Sequence, residues 1–147
     1  MKRYVSLILI LFVSAITFAD DTGIQDKIKS EYGNCYGRFR DDLAYCNLAT
    51  CNYPDLSDSK AWKAQVVRGF VDNKCYVVYY SYVGDQILGT PEHCFYTPEQ
   101  VKELANLYSN LFYNNSLEVV TDAREKITRF NAPICKKMDI KKDENSQ

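Results

Sequence analysis

Six cysteines carry most of the reactive chemistry this sequence offers: Cys35, Cys46, Cys51, Cys75, Cys94 and Cys135. No two stand in a Cys-x-x-Cys spacing, and the only histidine is His93. A zinc ligand set and a thioredoxin-like redox pair both need spacings that are missing here. His93 adjoins Cys94, and a base beside a free thiol would define a small secreted hydrolase or thiol/redox enzyme. That chemistry requires an unpaired cysteine, whereas an even count in an exported chain reads as a disulfide framework. The acidic pairs Asp20-Asp21 and Asp41-Asp42 do not make a general acid/base couple, because adjacent helical residues do not face each other. No Gly-rich phosphate loop, G-x-S-x-G elbow or EF-hand spacing occurs, so no catalytic, cofactor or metal residue is assigned.

Tyrosine is the other candidate. Of 12 in the chain, Tyr76, Tyr79, Tyr80 and Tyr82 crowd one segment. Its alternation sends Tyr76, Val78, Tyr80 and Tyr82 to one side, and Cys75, Val77, Tyr79 and Ser81 to the other. If helices cover a single face, Tyr76, Tyr80 and Tyr82 form a candidate partner surface, since exposed aromatics are enriched at interfaces. Asn114-Asn115-Ser116 is a glycosylation sequon, with meaning only in a eukaryotic secretory pathway.

The compartment follows from the first residues. Lys2 and Arg3 precede an apolar run, Tyr4 to Phe18, and Thr17-Phe18-Ala19 supplies small residues at the cutting positions. The run is shorter than the roughly 20 residues a bilayer core needs, so residues 1–19 read as a cleaved signal and the mature chain as secreted or periplasmic. No later segment reaches spanning length, and no membrane span is expected after cleavage. Losing two of the 18 basic residues against 19 acidic ones leaves a net charge of −3. A mildly acidic chain without a concentrated basic footprint argues against nucleic-acid binding. Residues 20–135 fit one domain, followed by a charged tail, 136–147, read as disordered.

Apolar residues at 24, 28, 32, 35, 39, 43 and 46 trace an amphipathic helix, with Gly33 and Gly37 inside it. Either the helix breaks near Gly33-Asn34 or the glycines admit a close neighbour. Residues 47–60 read as a connector, in which a local Cys46–Cys51 loop is open. Trp62 to Val71, Lys74 to Val83 and Gln86 to Tyr96 read as three strands joined by turns at Asp72-Asn73 and Gly84-Asp85. The first turn places Gly69 opposite Tyr76. The second places Cys75 directly across from Cys94, at a spacing a disulfide bridges. Six cysteines allow 15 connectivities, and this pairing alone has a geometric basis; Gly89 and Pro91 could bulge the third strand and shift it. They also mark that strand as an edge.

Thr97-Pro98-Glu99-Gln100 is a helix start with a capping box. Val101, Leu104, Ala105, Tyr108, Leu111 and Phe112 form its stripe. A last helix, capped by Ser116, carries Leu117, Val120, Ala123, Ile127 and Phe130. The expected class is therefore α+β: N-terminal helix, three-stranded antiparallel meander and two C-terminal helices, stabilised by disulfides.

The run from Cys51 through Val67-Arg68-Gly69 and Lys74-Cys75-Tyr76-Val77 to Cys94 resembles a pattern in small exported bacterial proteins of unknown function. That resemblance implies an envelope or secreted location and no activity. The helix-then-meander order is similar to cystatin-like folds. Gln65-Val66-Val67-Arg68-Gly69, however, has one residue more than their Q-x-V-x-G inhibitory loop and falls in an expected strand. The functional expectation is a non-enzymatic exported module that binds a protein or envelope partner.

Overall fold

The computed structural model describes residues 21–138. Residues 1–20, which include the segment read as a signal, and residues 139–147 lie outside the described residues. Helix α1 (Asp21–Tyr32) ends in a 3-10 turn at Gly33–Cys35, and a short α2 (Phe39–Ala44) follows. Both readings of the interruption hold at Gly33, whereas nothing stands within 4 Å of where a Cβ on Gly37 would lie. Gly33 turns the chain at φ +51°, and a Cβ there would stand 2.3 Å from the Asn52 carbonyl oxygen. The stripe still selects the inward residues: Ile28, Cys35, Phe39, Leu43 and Cys46 are all buried.

The sheet has five strands rather than three: β1 (Ala49–Pro54), β2 (Trp62–Val71), β3 (Lys74–Val83), β4 (Gln86–Tyr96) and β5 (Cys135–Lys137). They lie in sequence order, and every pair is antiparallel. The connector read at 47–60 contains β1, an edge strand whose last residue, Pro54, stands where proline is tolerated. Lys136 and Lys137, read as the start of a disordered tail, belong to β5. Consequently β4 is flanked on both sides over Glu92–Cys94, and the long stretch before it, which holds Gly89 and Pro91, has β3 alone as a neighbour.

Helix α3 (Pro98–Phe112) starts as expected: Gln100 N–H donates to Thr97 Oγ1 at 3.2 Å, and Thr97 N–H donates to Gln100 Oε1 at 2.8 Å. Helix α4 (Leu117–Asn131) has Ser116 at its N-cap position, but the Ser116 hydroxyl caps nothing. Instead Asn114 Oδ1 accepts from the Ser116 N–H at 3.0 Å. Helices α3 and α4 cover the face carrying Val67, Val77 and Cys94, and the core closes there on Leu104, Leu111, Phe112 and Val120.

The expected Cys75–Cys94 bond is not formed. Cys75 bonds to Cys46, Cys94 to Cys135, and Cys35 to Cys51. The open Cys46–Cys51 alternative is likewise replaced. The register explains the correction. Near the turn Tyr82 faces Ile87 and Ser81 faces Leu88, as expected, but Tyr79 already faces Glu92. Tyr80 alone therefore opposes Gly89, Thr90 and Pro91, with Gly89 at φ +66°. The two extra residues bring Val77, not Cys75, opposite Cys94. Cysteines offset by two along neighbouring strands stand roughly 7 Å or more apart, too far to bond. A smaller bulge occurs in β2, where Arg68 and Gly69 together oppose Tyr76, close to the Gly69–Tyr76 pairing read from the turn.

Candidate functional site

On the helix-covered face, one row of residues crosses the sheet: Cys51, Gln65, Tyr79, Glu92 and Lys137 are successive cross-strand partners. Toward α3 from this row the packing is apolar. At the row and under α4 it turns polar, and a cavity of about 740 Å³ opens, lined by Tyr53, Tyr79, Tyr108, Arg124, Thr128 and Asn131 among others. That volume is in the range of small-molecule sites.

The polar groups are organised. Gln65 is only 2% exposed; its Nε2 donates to the Tyr108 hydroxyl at 2.9 Å, which donates to Gln65 Oε1 at 3.1 Å. Tyr96 donates to Asn131 Oδ1 at 2.8 Å, leaving its oxygen to accept from the Tyr79 hydroxyl at 3.3 Å. At the far wall the Arg124 guanidinium pairs with Glu31 and lies 5.8 Å from the centre of the Tyr32 ring. Tyr32 in turn packs on Tyr53, with centroids 5.9 Å apart. Desolvation holds the Tyr79, Tyr96 and Tyr108 phenols well above their ordinary pKa, and raises Tyr53 and Tyr32 less far. These hydroxyls therefore act as neutral donors and acceptors at any ordinary pH.

The residues singled out from sequence lie elsewhere. Tyr76, Tyr80 and Tyr82 are on the sheet face away from α3 and α4, each with its own ring contacts. Tyr76 stacks on Phe95, centroids 4.7 Å apart, and its hydroxyl meets His93 Nδ1 at 2.6 Å. Tyr80 and Tyr82 are neighbours, centroids 5.9 Å apart. Tyr82 also joins a cross-strand row with Trp62 and Ile87, which are 44% and 49% exposed. His93 has no thiol to activate, because all six cysteines are in disulfides. Among the described residues no group of His, Cys, Asp and Glu could hold a metal ion.

No family model, curated protein or solved structure matches the chain. The function is therefore argued from the site itself. The sequence singles out neither Tyr53 nor Gln65 for this site, places Tyr79 on the side away from the candidate tyrosine surface, and puts Tyr108 in the apolar stripe of α3. The available signal was Gln65, a polar residue on the same side of β2 as buried Val67. Among the described residues no helix is long and apolar enough to cross a membrane.

Proposed function

We propose that this chain is a disulfide-braced binding module of a secreted or periplasmic setting, holding a small molecule in the cavity under α4. The observation that carries the reading is the polar lining at a position where the fold requires only apolar packing. Burying amides and phenols is costly unless they are hydrogen-bonded, and a site arranged this way discriminates among ligands by their polar groups. The phenols, Gln65, Thr128 and Asn131 give the wall neutral polar groups, Arg124 is already paired with Glu31, and the cross-strand partners Glu92 and Lys137 set one negative charge against one positive. The ligand class that fits is a neutral molecule bearing hydroxyl or amide groups on an apolar or aromatic body.

Native mass spectrometry of the oxidised protein from its host tests this. A retained adduct, lost in a Thr128→Trp variant that fills the cavity from an exposed position on α4, is the expected result. Wild-type protein without an adduct, and without thermal stabilisation by any of a panel of neutral polar aromatics, would overturn it.

A second reading, binding of a protein or envelope component on the open sheet face, draws on the Trp62–Tyr82–Ile87 row. Exposed aromatic and aliphatic side chains in one row supply area that a partner can desolvate. Under this reading Tyr82→Ser abolishes partner capture while Tyr76→Phe leaves it intact, since the Tyr76 hydroxyl is engaged with His93. Equal effects from both variants would count against it.

A further inference from the structure

We propose that His93 lies at the heart of a second site, a pocket for a small organic anion on the opposite face of the sheet from the tyrosine-lined cavity. Glu92 and His93 are adjacent in β4 and point to opposite faces, so the two sites are independent. The His93 pocket has a volume of about 630 Å³, and its wall includes Lys74, His93, Phe95, Ile134, Lys136 and Met138.

The imidazole supplies the first argument. His93 is 9% exposed, and its Nε2 is shielded from solvent with no partner among the described residues. Its Nδ1 stands 2.6 Å from the Tyr76 hydroxyl, which has no other partner among those residues. A phenol is the better donor of the two, so Tyr76 donates to Nδ1 and the ring proton resides on Nε2. That leaves a buried N–H donor without an acceptor on a residue that lines the pocket, an arrangement native structures rarely leave uncompensated.

Charge gives the second argument. Lys136 is the direct cross-strand partner of His93, and Lys74 begins the next strand over. Against these two cations the same wall holds one carboxylate, Asp72. Thr97 and Gln100 also line the pocket, but their side chains are spent on each other's backbone at the start of α3. An oxyanion in the pocket is thus offered two ammonium groups, and it reaches the His93 N–H when the wall over the ring opens to admit it.

Size and lining set the rest of the ligand. The pocket is many times larger than a bare oxyanion, and Phe95, Ile134 and Met138 give it an apolar wall. A carboxylate or phosphate head at His93, carried on an apolar body, satisfies both halves.

His93 is the chain's only histidine, so the imidazole resonances of untagged protein report on this pocket alone. The experiment is a titration of the oxidised, ¹⁵N-labelled chain with octanoate and, separately, with octanol at matched ionic strength, followed at His93 Nε2. Octanoate is expected to shift that resonance saturably, with octanol weaker. Lys74→Gln and Lys136→Gln, at exposed positions, should each weaken octanoate by about threefold to tenfold while leaving octanol unchanged. Equal binding of the two probes would overturn the anion assignment. No saturable shift with either would overturn the site.

Discussion

Replacing Gly33 by alanine tests how α1 and β1 are joined. Two separate costs are expected there. An L-residue at φ +51° lies in the left-handed region, at a penalty of about 1–2 kcal/mol. The new Cβ would also stand 2.3 Å from the Asn52 carbonyl oxygen and 3.1 Å from the Tyr53 Cα, both backbone atoms of β1. Neither can swing aside as a side-chain end could, so the turn and the strand must separate. Overpacking of this kind costs about 1–3 kcal/mol. Movement is further opposed by the Cys35–Cys51 bond and by the Asn52 N–H donating to Asn34 Oδ1, both within the same contact. The expected loss is therefore about 2–5 kcal/mol. Gly84 provides the control: its φ is +56°, and a Cβ there meets nothing within 4 Å. Gly84→Ala should carry only the conformational penalty, about 1–2 kcal/mol. Equilibrium unfolding in guanidinium chloride, with the disulfides intact, measures both. If Gly33→Ala is no more destabilising than Gly84→Ala, the close approach to β1 has no energetic weight and the reasoning fails.

Other outcomes are open to measurement. The disulfides span 16, 29 and 41 residues; chain entropy assigns their closure roughly 3 to 4 kcal/mol each. That total rivals the stability of a small domain, so reduction by dithiothreitol at 25 °C should abolish the near-ultraviolet circular dichroism; a reduced chain that keeps it would contradict the assignment. Tyr79, Tyr96 and Tyr108 have folded-state pKa values raised by desolvation. Their contribution to stability is complete below the ordinary phenol pKa near 10 and declines as pH rises from there toward the folded values. Spectrophotometric titration should accordingly find these three phenols resisting ionisation until the protein unfolds, and smooth titration of every tyrosine near pH 10 in folded protein would count against it. Thr97→Ala removes the side-chain half of the α3 cap and should cost about 1 kcal/mol, read as a shift in the denaturation midpoint without a change in slope.

The parts of the fold legible in sequence were those fixed by local chemistry. Strands β2, β3 and β4 run between turns with their own residue signature, and α3 starts at a capping box formed by Thr97 and Gln100. Strand β1 was hidden because Asn52 and Pro54 suit an edge strand as well as they suit a loop. Strand β5 is three residues long, two of them lysine, and owes its place to the Cys94–Cys135 bond and to pairing with β4. The tyrosine-lined cavity left almost no trace. It arises where Tyr53, Gln65, Tyr79 and Tyr108 converge from four different elements, and spacing along the chain does not encode that meeting.

The bulge at Gly89–Pro91 has a consequence for how this protein reaches its disulfides. Side-chain alternation behaves as a parity check: a slip of one residue turns a buried side outward and is rejected, whereas a slip of two passes undetected. The unbulged register differs from the native one by two, so it keeps every β4 side chain on its proper face while setting Cys75 against Cys94. An oxidising chain is thereby offered a false partner that burial cannot veto. Only the capture of Cys75 by Cys46 and of Cys94 by Cys135 removes it. During oxidative refolding, a Cys75–Cys94 species is the expected transient, and its escape requires thiol–disulfide exchange rather than mere rearrangement of the sheet.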